Sequence, residues 1–477
     1  MRNAVLSNCL IVAVWLSLPL SVHASQKDDI AELKQTLEQI KHQYESRITE
    51  LEKRIQAAEE NVINAETKAQ SAERKAAHAE KKVTVNRGDN AFNPAISLIV
   101  QGSASSYSQD PEAWYLPGFQ TGGEAGLKPE GLSLTETELT ASANVDNWFF
   151  AQATIGMHEH HGSTELDIEE AFVDTLSLPA GLGMRFGRFY TETGYINASH
   201  SHAWDFADAP LVSQAFLGKQ YRDDGLRLSW IAPTDTFVET GAEALRGERF
   251  PASGNGSKFV GDAQNYFLRL GNDLGSSHSF RIGLSHLRTN PVNRAGGDAH
   301  GHDEHTETQS LGFSGNSNLS IADLIWKWAP EGDMTHRNLT LQGEYFHRDE
   351  DGSVTLTEGT EGALFDYNGA QRGFYLQGVY QFIPSWRLGI RYDRLWSDNS
   401  LSVLSNTTGE NDNEVTAETG LLSDYKPERW TAMVDWSPSE FSRLRLQYAL
   451  DESRPEKDNQ VQLQYIMTLG AHGTHRY

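Results

Sequence analysis

From residue 95 onward the chain repeatedly alternates apolar and polar side chains, and this period of two constrains the fold more than any other feature. "WRLGIRYDRLW" (386–396) sets Trp386, Leu388, Ile390 and Tyr392 against Arg387, Gly389, Arg391 and Asp393. "RLRLQYAL" (443–450) sets Leu444, Leu446, Tyr448 and Leu450 against Arg443, Arg445 and Gln447, and "GLRLSW" (225–230) and "FRIGLS" (280–285) repeat the arrangement. Successive side chains of a strand point to opposite faces, so each stretch predicts a strand with one apolar face.

The connections decide what that face meets. Short turns such as "DN" (146–147), "APTD" (232–235), "IPS" (383–385) and "SPSE" (437–440) alternate with long segments at 108–132, 158–165, 191–223, 246–262, 289–318, 349–370, 397–427 and 451–459. A soluble sandwich does not need that alternation, whereas a membrane barrel has short turns at one end and long loops at the other. Aromatics fall at strand ends, among them Trp148, Trp230, Trp386, Trp396, Trp430 and Trp436, where interfacial girdles would lie. The expected fold is mainly β: a transmembrane antiparallel β-barrel of about 16 strands over residues 95–477.

Three segments precede it. Residues 1–24 have an export-signal pattern: Arg2, the apolar run "CLIVAVWLSLPLSV", then Val22 and Ala24 before Ser25. Cys9 lies within that run and is the only cysteine, so the mature chain can form no internal disulfide and offers no thiolate ligand. Over 25–85, apolar or small residues from Ile30 and Leu33 through Ile55 to Val83 recur at alternating steps of three and four, with one extra step of four at Tyr44–Ile48. That is a coiled-coil seam with a single stutter, expected to make a periplasmic trimer. "NRGDNAFNP" (86–94) breaks it with Gly88 and Pro94 and forms a linker. The balance of 65 acidic against 40 basic residues, a net charge of −25, argues against nucleic acid, whose affinity comes from phosphate neutralisation by Lys and Arg.

Parity places charges on the faces opposite the apolar ones. Arg227, Arg269, Arg281, Arg387, Arg391, Arg443 and Arg445 form one inward set, and Glu136, Glu138, Glu170 and Asp174 another. The two either line a pore, with the arginines forming an anion path, or pair with one another and hold the wall rigid. The third long loop carries apolar anchors at Trp204, Phe206, Leu211 and Phe216, with Asp205 and Asp208 between them. A long loop with its own apolar residues folds back onto something, and the interior of a barrel this size can receive it, so it is expected to be the constriction.

The barrel pattern, the inward third loop and the closing stretch "VQLQYIMTLGAHGTHRY" ending at Tyr477 resemble a bacterial outer-membrane porin. Within porins, "FGRFYTETGYINASHSHAWDFADAPLV" is most similar to the phosphate-selective porin O and P type, in which a "GRF" strand leads into the loop that narrows the pore. The resemblance implies the outer membrane of a Gram-negative bacterium, with the coil in the periplasm. The chain lacks the dense lysine and arginine ladder of phosphate selection, and its loops are acidic, so the solute does not carry over.

Two outer loops concentrate metal-capable groups: "HEHHG", with His158, His160 and His161, and "DAHGHDEHTET", with His300, His302 and His305. Imidazoles interleaved with carboxylates suit zinc, copper or nickel, which makes loosely bound zinc the one cofactor candidate. "HEHHG" is not a protease motif, because Gly162 stands where H-E-x-x-H needs its second histidine. His200 and His202 are expected at the outside or the pore mouth. No catalytic constellation is legible. The expected function is passive uptake of small polar solutes, anions or zinc species among them, by a homotrimer in outer-membrane lipid. The alternative is a structural anchor that the coil tethers to the peptidoglycan.

Overall fold

The computed structural model describes Glu38, Lys53 and residues 94–470 apart from 161–162, 255–259, 297–308 and 360, with the side chains of 158–160, 163–165, 309 and 358 also left aside. Apart from Glu38, Lys53 and Pro94, the expected signal segment, coil and linker lie outside the described residues, as do His161, His300, His302, His305 and Tyr477.

The strands are β1 (Ala95–Tyr107), β2 (Gly131–Asn144), β3 (Phe149–His160), β4 (Ser163–Thr175), β5 (Leu182–Tyr190), β6 (Arg222–Ile231), β7 (Phe237–Leu245), β8 (Ala263–Leu274), β9 (His278–Thr289), β10 (Arg294–Ala295), β11 (Gln309–Trp328), β12 (Asn338–Glu358), β13 (Glu361–Ile383), β14 (Trp386–Asn406), β15 (Glu428–Ser439), β16 (Ser442–Glu452) and β17 (Asp458–Gly470). Each pairs antiparallel with its neighbour. β9 pairs with β11 while β10 only extends the edge at Arg294↔Phe313, and β1 closes the ring on β17 from Ser97↔Gly470 to Tyr107↔Gln460. Among the described residues the result is a closed barrel of 16 wall strands. Closure pairs the strands around the ring, a condition that lipid imposes on any sheet crossing it.

The alternation has the orientation expected from the sequence. Along β16, Leu444, Leu446 and Tyr448 are exposed on the outer wall, while Arg445 and Gln447 between them are buried inside. On β17, Val461, Leu463, Tyr465, Met467 and Leu469 are exposed, and Gln460, Gln462 and Gln464 are interior. Apolar side chains outside and polar ones within are stable only when the outer solvent is lipid.

β11 to β14 run 20 to 23 residues, about twice what a bilayer crossing needs. Parts of 349–370 and 397–427, expected as outer loops, are therefore continued barrel wall. In this extension the pattern inverts. Phe313, Val354, Leu356, Phe365 and Tyr367 turn inward and pack with Val415 of the helix Asp412–Glu418, while Asp349 is solvent-exposed. Above the lipid the wall meets water outside, so burying the apolar groups inside becomes the favourable choice. The segment 158–165 is likewise no open loop: β3 and β4 pair as far as His160↔Ser163.

The main hydrophobic core lies within the barrel. Every residue of the helix Leu211–Leu217 is buried, and Phe216 stacks on Phe346 at 5.6 Å and meets the edge of Phe119 at 5.7 Å. Phe119, with Trp114 and Leu116, belongs to the first long loop, so that loop also turns inward. The helix stops at Gly218, whose φ of 59° and close approach to the Gly122 carbonyl leave no room for a Cβ.

Candidate functional site: the infolded loop and the lumen wall

The segment 191–221 leaves β5, passes through short turns at Ile196–Ala198 and Ser201–Ala203, forms the helix Leu211–Leu217 and returns to β6. Its contacts fall on inward positions all around the ring, so it lies across the lumen. Trp204, Phe206 and Phe216 are buried.

One side of the loop is held by arginines. Neighbouring register positions set Arg387, Asp435, Arg445 and Gln464 in a row across β14 to β17. Arg387 bridges Asp435 at 2.5 Å and Asp205 of the loop at 2.7 Å. Arg391 binds Asp393 at 2.9 Å and Asp208 at 3.0 Å, and Arg429 reaches Asp208 at 2.9 Å and donates to the Ala209 carbonyl at 2.7 Å. Arg445 and Arg443 donate to the Trp204 carbonyl at 2.8 and 3.3 Å. Burial would raise the Asp208 carboxyl, but Arg391 and Arg429 outweigh it and hold it down at about 2. Lys128, from the first loop, donates to the Ala207 carbonyl at 2.7 Å, and burial lowers its ammonium to about 8.

A second contact zone spans β6 to β12. Arg227 binds Glu243 and Glu192, each at 2.6 Å, and Arg269 also pairs with Glu192. Arg281 sits 3.6 Å from Asp323 and over the Tyr195 ring at 4.4 Å. Glu344 accepts the backbone N–H groups of Tyr195 and Ile196 at 2.7 and 3.0 Å.

The third zone is acidic. Glu136 and Glu138 face inward from β2 and Glu170 from β4. Glu169 joins them because the β3–β4 register steps from Thr154↔Glu170 to Ile155↔Ile168, so Glu169 is the extra residue of a bulge and two consecutive carboxylates face the lumen. Onto these the loop lays His200 and His202. His202 Nδ1 is 2.7 Å from Glu138 Oε1, while His200 Nδ1 is 3.1 Å from Glu138 Oε2 and 3.5 Å from Glu169 Oε2. His200 Nε2 is 3.0 Å from Glu170 Oε2, the two imidazoles stack at 5.5 Å, and Ser201 donates to Glu136. Burial by itself would lower the His200 imidazole, yet Glu138, reinforced by Glu169 and Glu170, raises it well above its ordinary value.

The expected inward arginines thus all reach the interior, bound to carboxylates or to loop carbonyls. Asp174 shares the inward face of β4 with Glu170 and Phe172, and forms a two-point pair with Arg185 at 2.7 Å while partly exposed. Rather than at an outer mouth, His200 and His202 lie against Glu138 inside. His158 and His160 stand at the end of β3. Sequence reasoning missed Arg429, Asp393, Asp435 and Glu192. For Arg429 the signal was present, since Arg429, Thr431, Met433 and Asp435 alternate with Trp430, Ala432, Val434 and Trp436. The arrangement can hold the loop rigid by salt bridges from several walls, and its acidic zone can hold a cation.

A closed ring of amphipathic strands with an apolar outer band, a charged interior and a loop folded across it defines a transmembrane β-barrel. No family model matches the chain. The chain is 29% identical over 425 residues to an uncharacterized protein of Aquifex aeolicus (strain VF5), spanning 81% of this chain and 80% of that one. Similar solved structures include a loop-deletion mutant of OmpT, an outer membrane protein of Vibrio cholerae, with a TM-score of 0.47 at 10% identity, covering 80% of this chain and all 100% of that one. The outer membrane channel DcaP of Acinetobacter baumannii has a TM-score of 0.46 at 12% identity, covering 79% and 97% of the two chains. The anion-selective porin from Comamonas acidovorans has a TM-score of 0.40 at 11% identity, covering 79% and 99%.

Proposed function

We propose that the protein is an outer-membrane porin, a passive path for small polar solutes whose narrowest section is set by residues 191–221. The observation that carries this reading is the way the loop is held. A segment serving only as a surface cap would need no anchors inside the barrel, yet this one is tied to wall charges on β2, β4, β12, β14 and β15. An infolded, rigid loop restricts solute size while leaving the barrel wall unchanged. Because most of the wall arginines are paired with acidic groups, size and polarity govern passage in this reading, with any preference for anions secondary. The coil-bearing segment assembles three copies, and the histidines at 158, 160, 161, 300, 302 and 305 collect zinc loosely at the entrance.

Liposome swelling with neutral sugars and amino acids of graded size tests the channel. Entry that falls off steeply with solute size is expected. Liposomes that do not swell with any solute, from protein that keeps its barrel circular dichroism, would overturn it and leave the envelope-anchor role.

A further inference from the structure

The acidic zone of the lumen has a composition that loop anchoring does not account for. Its four carboxylates, Glu136, Glu138, Glu169 and Glu170, converge from two wall strands, with a strand bulge adding Glu169 to the set. Basic groups border it: Arg185 pairs with Asp174 at 2.7 Å, Lys219 with Glu124 at 3.1 Å, and Arg222 with Glu124 and Asp167 at 3.0 and 2.5 Å. Four carboxylates meet two imidazoles here, with Lys219 and Arg222 acting on the same group from its border. Buried charge of that kind is stable only when paired or bound to a metal.

The donor atoms are already gathered. One atom each from Glu138, His200 and His202 lie within 4.8 Å of one another, and the same holds for Glu136, Glu138 and Glu169, so Glu138 belongs to both triads. Ligand atoms around a tetrahedral zinc stand about 3.3 Å apart, given bonds near 2.0 Å. The Glu138 oxygens are 2.7 and 3.1 Å from the two Nδ1 atoms, so a spread of a few tenths of an ångström would admit an ion. The sequence contributes to this placement. His200 and His202 flank Ser201 in a short turn, and Ser201 is fixed to Glu136, which presents both rings to the same wall.

We propose that Glu138, His200 and His202 bind one divalent cation of the zinc class, with Glu136 and Glu169 completing its surroundings, and that this ion staples the third loop to the β2–β4 wall. Two imidazoles and a carboxylate favour zinc, cobalt or nickel over magnesium or calcium, which prefer all-oxygen cages. The entering ion displaces protons from the imidazole–carboxylate contacts, so binding releases protons to the solvent. The site stands whether or not the barrel conducts.

The test uses the full-length protein in detergent, stripped with a chelator and titrated with Zn²⁺ by calorimetry and with Co²⁺ by absorption. Three variants accompany the wild type: His200→Asn with His202→Asn, Glu138→Gln, and an outer variant with Asn at His300, His302 and His305. The wild type should take up one tight equivalent and show nitrogen-ligated cobalt bands. Both lumen variants should weaken that equivalent at least about 100-fold, and the outer variant should keep it while losing only loose uptake. Glu138→Gln keeps both rings and the local shape, which separates ligand loss from misfolding. A wild type without a tight equivalent, or lumen variants that bind as tightly as wild type, would overturn the proposal. Loss of loose uptake alone in the outer variant concerns the entrance histidines and leaves the lumen site standing.

Discussion

Replacing Asp208 by Asn should loosen the third loop without opening the barrel. Asp208 lies between Arg391 and Arg429 at 3.0 and 2.9 Å, with its side chain 9% exposed, and also accepts from Gln447 at 2.7 Å. The two guanidiniums bring its carboxyl from the ordinary 3.8 to about 2. At about 1.4 kcal/mol per pKa unit, the ionised form stabilises the anchored loop by roughly 2–3 kcal/mol. Asparagine keeps the size and an acceptor for Gln447 but leaves Arg429 buried with Asp393, at 3.8 Å, and its cross-strand neighbour Asp451 as counter-charges. Removing one partner of a buried pair costs about 3–5 kcal/mol when nothing replaces it. The lower figure applies here because Arg391 retains Asp393 at 2.9 Å. Local opening of the loop should therefore become about 30- to 150-fold more frequent. Hydrogen exchange followed by mass spectrometry reads this at the amides of Ala207 and Leu211, which now donate to Gln447 and Asp393. Peptides from β16 and β17 should exchange as in wild type. Unchanged exchange at 204–214, or equal acceleration across the wall strands, would refute the reasoning.

The other predictions rest on separate observations. Because the Asp208 pKa is depressed, its stabilisation is present above about 4 and is lost as pH falls through about 2, so the protection of amides 204–214 in wild type, corrected for the intrinsic exchange rate at each pH, should fall in that acid window, and constant protection there would contradict it. Gly218→Ala should destabilise the loop by about 1–2 kcal/mol, since φ is 59° and a Cβ would stand 2.4 Å from the Gly122 carbonyl; accelerated exchange confined to 211–221 is the readout, and normal exchange there would contradict the packing. Leu446→Arg puts a charge on the lipid face of β16 and should cost about 2–4 kcal/mol of folding into bilayers if the site is near the midplane. A folding energy unchanged from wild type would contradict the assigned facing.

The parts of this molecule legible in its sequence were those governed by lipid. Leu444, Leu446 and Tyr448 against Arg445 and Gln447 carry the strand and its facing directly, because a bilayer outside and water inside force alternation. The third loop was legible through Trp204, Phe206 and Phe216, which have no place on a solvated loop. The extended wall was not, since Val354, Leu356 and Phe365 obey the opposite facing rule once the strands leave the lipid. Glu169 was hidden by its bulge, which shifts the period by one residue. His200 and His202 were placed at a mouth because nothing local shows that Glu138, more than sixty residues away, faces them. Asp208 with Arg391 and Arg429 is a pairing of the same non-local kind, made only when the barrel closes.

The measurement that bears most directly on the account is single-channel conductance in planar bilayers, comparing wild type with Asp205→Asn, Asp208→Asn and the double variant. If the loop is the constriction and these carboxylates hold it, wild type should give small, steady, ohmic steps. Each single variant should give larger or flickering steps, and the double variant the largest, because Arg387, Arg391 and Arg429 then lose their loop partners. Identical steps in all four proteins would contradict the account, because the anchored loop would then not control the path through the barrel.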